Sequence, residues 1–375
     1  MPTSDRGHAI SAVILAAGMS RRMGTPKQLL RLGEATLLEL ALRNVRQSHV
    51  REIVLVLGHE AEAIRNQLTL GGVKVVLNPD YAEGMGTSIR AGLAALAPDA
   101  QGAFMVLADQ PFVRPATFDR LIQEHGRLKP QIVVPMYRGF RGNPVLLDHS
   151  VFPELDGLRG DVGCRAIFGN HTDKILKVEI NDPGILLDAD SEEDLRKLRE
   201  GVLPDRPDLE IVQRSGAEHP ATHTESHQQE LVLVSRDRFA RTIAGIARLL
   251  NFTVTVVDPL LKPEEFPEAN RILHTLDFRS LPARGKRHVV VASRGQFDEE
   301  AIEQALVAEA AYVALVANRR RAEEIKRALL ARGLSQEKAA RLRAPAGLEI
   351  GAEGPEEIAL SVMAEIVAAM RNSRG

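Results

Sequence analysis

One buried strand, Ala12–Leu15, runs straight into Ala16-Ala17-Gly18-Met19-Ser20-Arg21-Arg22-Met23-Gly24-Thr25-Pro26-Lys27. An apolar run that ends in small residues and glycine lets the backbone turn tightly at the end of a strand and approach a ligand closely. Consecutive loop N–H groups in such a turn make a concavity for an anion. Arg22 and Lys27 add two positive charges beside it. Strand, small-residue loop and two cations together predict a polyphosphate site in an α/β fold. The loop lacks the Gly-Lys-Ser/Thr ending of a P-loop and the Gly-x-Gly-x-x-Gly spacing of a dinucleotide fingerprint.

The rest of the chain keeps the same rhythm. Apolar runs at Ala12–Leu15, Ile53–Leu57, Lys74–Leu77, Ala103–Leu107, Ile132–Pro135, Pro144–Leu147 and Ile175–Val178 predict strands. Amphipathic stretches near Thr36–Gln47, Ala61–Gln67, Thr87–Ala97, Ala116–His125 and Ser191–Arg199 predict helices between them. This alternation predicts a mostly parallel sheet covered on both faces. Residues 203–229 are poor in large apolar side chains and carry Pro204, Pro207 and Pro220, so they read as a linker. His219, His223 and His227 fall at spacing four within it, but Pro220 argues against the helix that would gather them on a metal. From Glu230 the βα rhythm restarts, with strands expected at Leu231–Val234, Thr253–Asp258, His288–Ala292 and Tyr312–Ala317. Helices are expected at Phe239–Leu250, Asp298–Ala310, Arg319–Ala331 and Pro355–Met370. The expected organisation is therefore 1–201, a linker at 202–229 and a second Rossmann-like α/β domain at 230–375.

At 375 residues two domains are the default. A net charge of −2 gives no footprint for nucleic acid. No apolar run approaches membrane-spanning length, and the polar start lacks the apolar core of a signal peptide. One cysteine, Cys164, excludes an internal disulfide framework. A cytoplasmic location is the resulting expectation, with no nucleic-acid or membrane partner.

Asp109 follows the buried run Phe104–Leu107, and a carboxylate at the end of a sheet strand sits where α/β folds bind ligands. Beside a polyphosphate loop it suits Mg²⁺. Asp188 and Asp190 open a second acidic stretch, where Asp190 or Ser191 also serves as a helix cap. The stretch from Asn78 to Arg90 joins a strand to a helix through Gly84, Gly86, Thr87 and Ser88. Read by itself, this is a capped helix start.

The first loop resembles the signature L-A-A-G-x-S-x-R-M-G-x-x-K of the MobA-like nucleotidyltransferases, and Leu107-Ala108-Asp109-Gln110-Pro111 resembles their metal motif. The resemblance implies a Rossmann-like nucleotidyltransferase domain. It implies nucleotide binding by Leu15, Ala16, Ala17, Gly18, Gly24, Lys27, Gly86, Thr87 and Ser88. It implies catalytic roles for Arg22, Lys27 and Asp109, and Mg²⁺ held by Asp109 and Asp188, with Asp190 the weaker candidate. Arg138–Pro144 and Gly160–Arg165 resemble the family's acceptor loops, which implies acceptor contacts from Gly142, Asn143, Pro144, Asp161 and Arg165; Asn143 stands for the usual His and Cys164 for the usual Ala. Ala16-Ala17-Gly18 and Thr25-Pro26-Lys27 are similar to the molybdenum cofactor cytidylyltransferase branch rather than the guanylyl branch. That branch joins CTP to the terminal phosphate of the molybdopterin cofactor and releases pyrophosphate. The alternatives are transfer to another phosphorylated small molecule, such as a sugar phosphate, and a maturation factor that binds cofactor without turnover.

Residues 230–370 resemble the C-terminal Rossmann-like domain of the XdhC/CoxI accessory proteins, most specifically at Ala344-Pro345-Ala346-Gly347-Leu348-Glu349-Ile350-Gly351-Ala352-Glu353. The resemblance implies delivery of the molybdenum cofactor to an apo xanthine dehydrogenase-type hydroxylase. One departure stands out. Ser235-Arg236-Asp237-Arg238-Phe239-Ala240-Arg241 replaces the family's glycine-rich turn, and Ser293-Arg294-Gly295 replaces T-H-G. Side chains there oppose close approach of a pyrophosphate, so no NAD or NADP binding is expected.

Overall fold

The computed structural model describes residues 9–19, 26–160, 163–189, 229–235, 238–281, 286–293 and 297–372. Arg22, Gly24, Asp161, Asp190 and the expected helix Ser191–Arg199 lie outside them. The chain forms two compact units, one of residues 1–137 and 141–205 and the other of residues 138–140 and 206–375.

In the first unit, strands β1 (Ile10–Ala16), β2 (Glu52–Leu57), β3 (Lys74–Leu77), β4 (Gly102–Leu107), β5 (Ile132–Tyr137), β6 (Val145–Asp148) and β7 (Ile175–Glu179) lie in the order β7-β5-β6-β4-β1-β2-β3. β1 is apolar along both faces and its core residues are fully shielded, as a central parallel strand covered by helices requires. It pairs in parallel with β2 on one side and β4 on the other. β6 runs antiparallel between β4 and β5, so the sheet is mixed at that point. The expected strand there was right in place; its direction is not readable from a run of four apolar residues.

Helix α1 (Leu37–Arg46) starts where the sequence supplies a complete cap. Thr36 Oγ1 accepts from the Glu39 N–H at 3.2 Å, and Glu39 Oε2 accepts from the Thr36 N–H at 2.7 Å. Leu37, Leu38, Ala41, Leu42 and Val45 form its buried stripe. Helices α2 (Ala61–Gln67), α3 (Met85–Ala94) and α4 (Pro115–Leu128) follow β2, β3 and β4. α3 begins two residues earlier and ends three earlier than the apolar pattern suggests.

In the second unit, β8 (Glu230–Val234), β9 (Thr253–Val257), β10 (Arg271–Leu273), β11 (Arg287–Val291), β12 (Tyr312–Leu315) and β13 (Leu342–Arg343) form a parallel sheet in the order β10-β9-β8-β11-β12-β13. This is the strand order of a dinucleotide-binding Rossmann sheet. The two edge strands, β10 and β13, have three and two residues and carry too little pattern to be read from sequence. Helices α5 (Arg238–Leu249), α6 (Asp298–Val307), α7 (Arg319–Ala331) and α8 (Pro355–Asn372) complete the unit. A buried Glu230 carboxylate ties β8 to β9, to β11 and to the edge strand β10. It accepts from Thr255 Oγ1 at 3.0 Å and pairs with Arg287 at 3.1 Å and Arg271 at 3.4 Å. Among the described residues, no helix is long and apolar enough to cross a membrane.

His288, on β11, is buried with its ring edge-on to Phe252 at 5.6 Å. Burial pushes its pKa below the ordinary value, and the backbone groups of Glu230 and Lys286 only partly offset that. A histidine whose folded pKa is depressed adds stability that is complete above its unfolded pKa of about 6.5 and is lost as pH falls through the folded value. Urea unfolding followed from pH 8 to pH 5 is therefore expected to show stability falling on the acid side. The His288→Gln variant is expected to show a flatter profile, and an unchanged acid slope would refute the assignment.

Candidate active site

The site follows from strand register. Leu15 on β1 pairs with Leu107 on β4, so the residues after each strand leave the sheet side by side. The Ala108 N–H reaches the Leu15 carbonyl at 3.4 Å, and Asp109 follows. β2 lies on the other flank of β1, and these carboxyl ends are where open α/β sheets hold ligands.

The first loop is fastened from beneath. Gln28 is buried, and its Nε2 donates to the carbonyls of Ala16 at 2.9 Å and Gly18 at 3.3 Å. Its neighbour Lys27 begins a single helical turn and forms an ion pair with the Asp109 carboxylate. Both side chains are largely shielded. The third wall comes from residues 81–88. Tyr81 packs against Gly58 so closely that a Cβ on Gly58 would sit 2.5 Å from the Tyr81 Cβ and 2.9 Å from that of Ala17.

Together these segments enclose a cavity of about 460 Å³. Of the residues expected from sequence, it brings together Leu15, Ala17, Gly18, Lys27, Ser88 and Asp109. Ala16 is buried behind the loop. Gly86 and Thr87 also stand behind it. The Gly86 N–H donates to the Gly160 carbonyl at 3.2 Å, and Thr87 Oγ1 bonds to the carbonyls of Asp80 and Gly84 at 3.0 and 2.9 Å. Gln28, Tyr81, Glu83 and Met85 line the cavity without having been singled out from sequence. For Gln28 the signal was available: an amide directly after the loop lysine. The side chains that reach the cavity from residues 81–85 depend on a short helical turn that sequence pattern does not fix.

Asp188 is brought to Asp109 through backbone contacts. The buried Asp182 carboxylate accepts from the Arg114 N–H at 2.8 Å, Thr117 Oγ1 at 2.6 Å and the Gly184 N–H at 2.9 Å. Gly184 lies against the Phe112 carbonyl, where a Cβ would come within 2.2 Å of the oxygen. The Ala189 N–H then donates to the Asp109 carbonyl at 3.1 Å. Residue 188 thus adjoins residue 109, and Asp188 is half-buried. Asp109 lines the cavity and Asp188 does not; the contact between the two segments is made by their backbones. Among the described residues no group of three or more metal-ligating side chains forms, and Asp190 is outside them.

Two of the acceptor-loop residues, Gly142 and Asn143, make backbone contacts with neighbouring segments. A Cβ on Gly142 would fall 2.5 Å from Ile185, and the Gly142 N–H donates to Pro135 at 2.9 Å. The Asn143 N–H donates to the Ile185 carbonyl at 3.0 Å. Gly142, Asn143, Pro144 and Arg165 are not among the residues lining the cavity. Cys164 is buried, and burial pushes its thiol pKa up against the pull of Arg165 and Arg141. That is the behaviour of a packing residue rather than a nucleophile.

In the second unit, Asp258 follows β9 and its Oδ1 accepts from the Leu260 N–H at 2.8 Å, inside its own loop. Ser293, after β11, donates to the buried Asp298 carboxylate at 2.6 Å. Residues 236, 237 and 294–296 lie outside the described residues.

Comparison with known proteins agrees with this division. Residues 12–175 match the MobA-like NTP transferase domain, and residues 231–366 match the XdhC Rossmann domain. The protein YqeB of Escherichia coli (strain K12) is 38% identical over 152 residues, which cover 39% of this chain and 28% of YqeB. The chain therefore spans little more than a quarter of that relative's length. Nicotine blue oxidoreductase of Paenarthrobacter nicotinovorans is 30% identical over 202 residues, 50% of this chain and 96% of that protein. Molybdenum cofactor cytidylyltransferase of Escherichia coli (strain K12) is 27% identical over 199 residues, 51% of this chain and 96% of that one. The chain belongs to the MobA-like NTP transferase family through its first unit and carries an XdhC Rossmann domain as its second.

Proposed function

We propose that this chain is a molybdenum cofactor cytidylyltransferase whose second unit couples the reaction to cofactor delivery to an apo xanthine dehydrogenase-type hydroxylase. The observation that carries the reading is the cavity in which the small-residue loop, Lys27 and Asp109 meet. The XdhC match and the cytidylyltransferase relative support the choice of reaction.

In the proposed reaction a terminal phosphate oxygen of the pterin cofactor attacks the α-phosphorus of CTP. The new P–O bond forms as the bond to the bridging α–β oxygen breaks, and pyrophosphate leaves with that electron pair. The nucleophile is already ionised, so no side chain has to remove a proton. The work left to the chain is to hold two anions together and to place positive charge where negative charge grows. Lys27 and Arg22 supply that charge, and the N–H groups of Ala17 and Gly18 line the phosphate side. Asp109 and Asp188, with Asp190, would hold Mg²⁺, which when bound neutralises triphosphate oxygens. Lys27 and Asp109 neutralise each other in this structure. A triphosphate with its cation offers each a new partner of opposite charge.

A second reading comes from the 30% identity to nicotine blue oxidoreductase: a redox reaction in the same cavity. Pyrophosphate release with CTP and a molybdopterin-type acceptor separates the two readings. Its absence would count against the transferase reading.

The Asp109→Asn variant is expected to lose pyrophosphate release by about 100-fold or more, and Lys27→Met by a similar factor. Both are expected to remain folded, which a melting curve checks alongside the turnover assay. Asp188→Asn is expected to be severe and Asp190→Asn milder. Near-normal turnover by Asp109→Asn would remove it from the mechanism.

Wild-type kcat/KM is expected to favour CTP over GTP by about tenfold or more, equivalent to ~1.4 kcal/mol. The Ala17 methyl group, which lies beside Gly58 and Tyr81, narrows the cavity against a purine. Ala17→Gly is expected to reduce the preference, and equal use of both nucleotides by the wild type would contradict the reading.

A fragment spanning residues 1–201 is expected to fold and to retain cytidylyl transfer while losing hydroxylase activation, because the phosphate loop and both acidic motifs precede the linker. NAD and NADP are expected not to bind the full chain at submillimolar concentration. Transfer and hydroxylase activation measured side by side test the boundary: a folded but inactive fragment would overturn it.

A further inference from the structure

Asn78 follows β3 and is 4% exposed. Its amide makes three hydrogen bonds, two of which join the strand end to the start of α3. The Asp80 N–H donates to Asn78 Oδ1 at 3.1 Å. A backbone N–H only donates, so this bond fixes which end of the amide is oxygen. The nitrogen faces the helix and donates to Thr87 Oγ1 at 2.8 Å and to Ser88 Oγ at 3.0 Å.

The two hydroxyls then differ. Thr87 directs its own proton to the carbonyl of Asp80 or of Gly84. Ser88 receives the Asn78 N–H, but no acceptor among the described residues takes its proton. Ser88 is 5% exposed and lines the cavity. A shielded hydroxyl that already accepts gains most from a ligand atom that accepts in turn, because leaving its O–H unmade carries the larger cost.

We propose that Asn78 is a positioning residue that sets base preference by holding Ser88 as a hydrogen-bond donor to the ligand. This polarity favours a base edge that offers a carbonyl, such as the 2-oxo edge of a pyrimidine. It disfavours one that offers an amine, such as the 2-amino edge of guanine. The inference rests on the nucleotide reading of the cavity given above.

The Asn78→Asp variant keeps the shape of the side chain and still accepts from the Asp80 N–H. Its carboxylate now accepts from Ser88, so the hydroxyl turns its lone pairs, rather than its proton, toward the ligand. Binding of CTP, GTP and ITP to the full-length protein, measured by calorimetry, reads the change. ITP is the purine control, since it lacks only the 2-amino group of GTP. The wild type is expected to bind CTP best and to bind ITP at least as well as GTP. In Asn78→Asp the CTP-to-GTP ratio is expected to fall by about tenfold, and GTP to overtake ITP. If that variant fails to fold, Ser88→Ala removes the donor without adding charge; it is expected to reduce the CTP preference to the part that the Ala17 methyl group supplies, and to bind GTP and ITP alike.

A general weakening of all three nucleotides with unchanged ratios, in either folded variant, would reduce Asn78 to a structural brace and overturn the proposal. A wild type without CTP preference would overturn the nucleotide reading first and this inference with it. A wild type that prefers CTP, with variants that keep the same ratios, would leave that reading standing and sink this inference alone.

Discussion

The parallel pairing of β1 with β4 is the constraint on which the first unit depends. Once Leu15 stands opposite Leu107, the loop after one strand and the acid after the other emerge as neighbours. Lys27 and Asp109 then come together although they are distant in sequence. Pairing of β1 with β2 sets the opposite wall, because Gly58 follows β2 and offers the space that Tyr81 fills. The charges at the cavity are individually ordinary, and the sheet gives them their relationship.

Much of this was legible in the chain because the relevant signals are local. Apolar runs such as Ala12–Leu15 and Phe104–Leu107 mark central strands, and in a parallel sheet the residues just after such strands are the ones to inspect. Thr36 and Glu39 spell out a helix start without reference to anything else. The resemblance to the MobA-like and XdhC families then brought Lys27 and Asp109 into one expected site. Less legible were features set by contacts between distant segments. The antiparallel direction of β6 depends on its neighbours and not on its own four residues. The short strands β10 and β13 are stabilised by a sheet edge already in place. Gly86 and Thr87 were expected at the ligand and instead brace the loop, because glycine and hydroxyl residues at a helix start serve both purposes equally well in sequence.

The second unit illustrates how a fold outlasts one of its usual signatures. Its strand order is that of a dinucleotide-binding sheet, yet its sequence has no glycine from Ser235 to Arg241, where such sheets place their glycine-rich turn. Burial of β8, β9 and β11 together with the Glu230 network holds the sheet. The sheet and the ligand turn answer to different forces, so one can change while the other remains.

The contact between the Ala189 N–H and the Asp109 carbonyl carries a consequence for the order of assembly. Closing a contact between segments so far apart carries an entropic cost that local structure does not. During synthesis, β1 through β4 and their helices can form while the stretch that bears Asp188 is still inside the ribosome. The loop after β1 and Asp109 are then in place before Asp188 arrives. The carboxyl edge of the sheet is therefore shaped before its last covering segment exists, and the first unit is complete only when residues 182–189 have docked against residues 109–117.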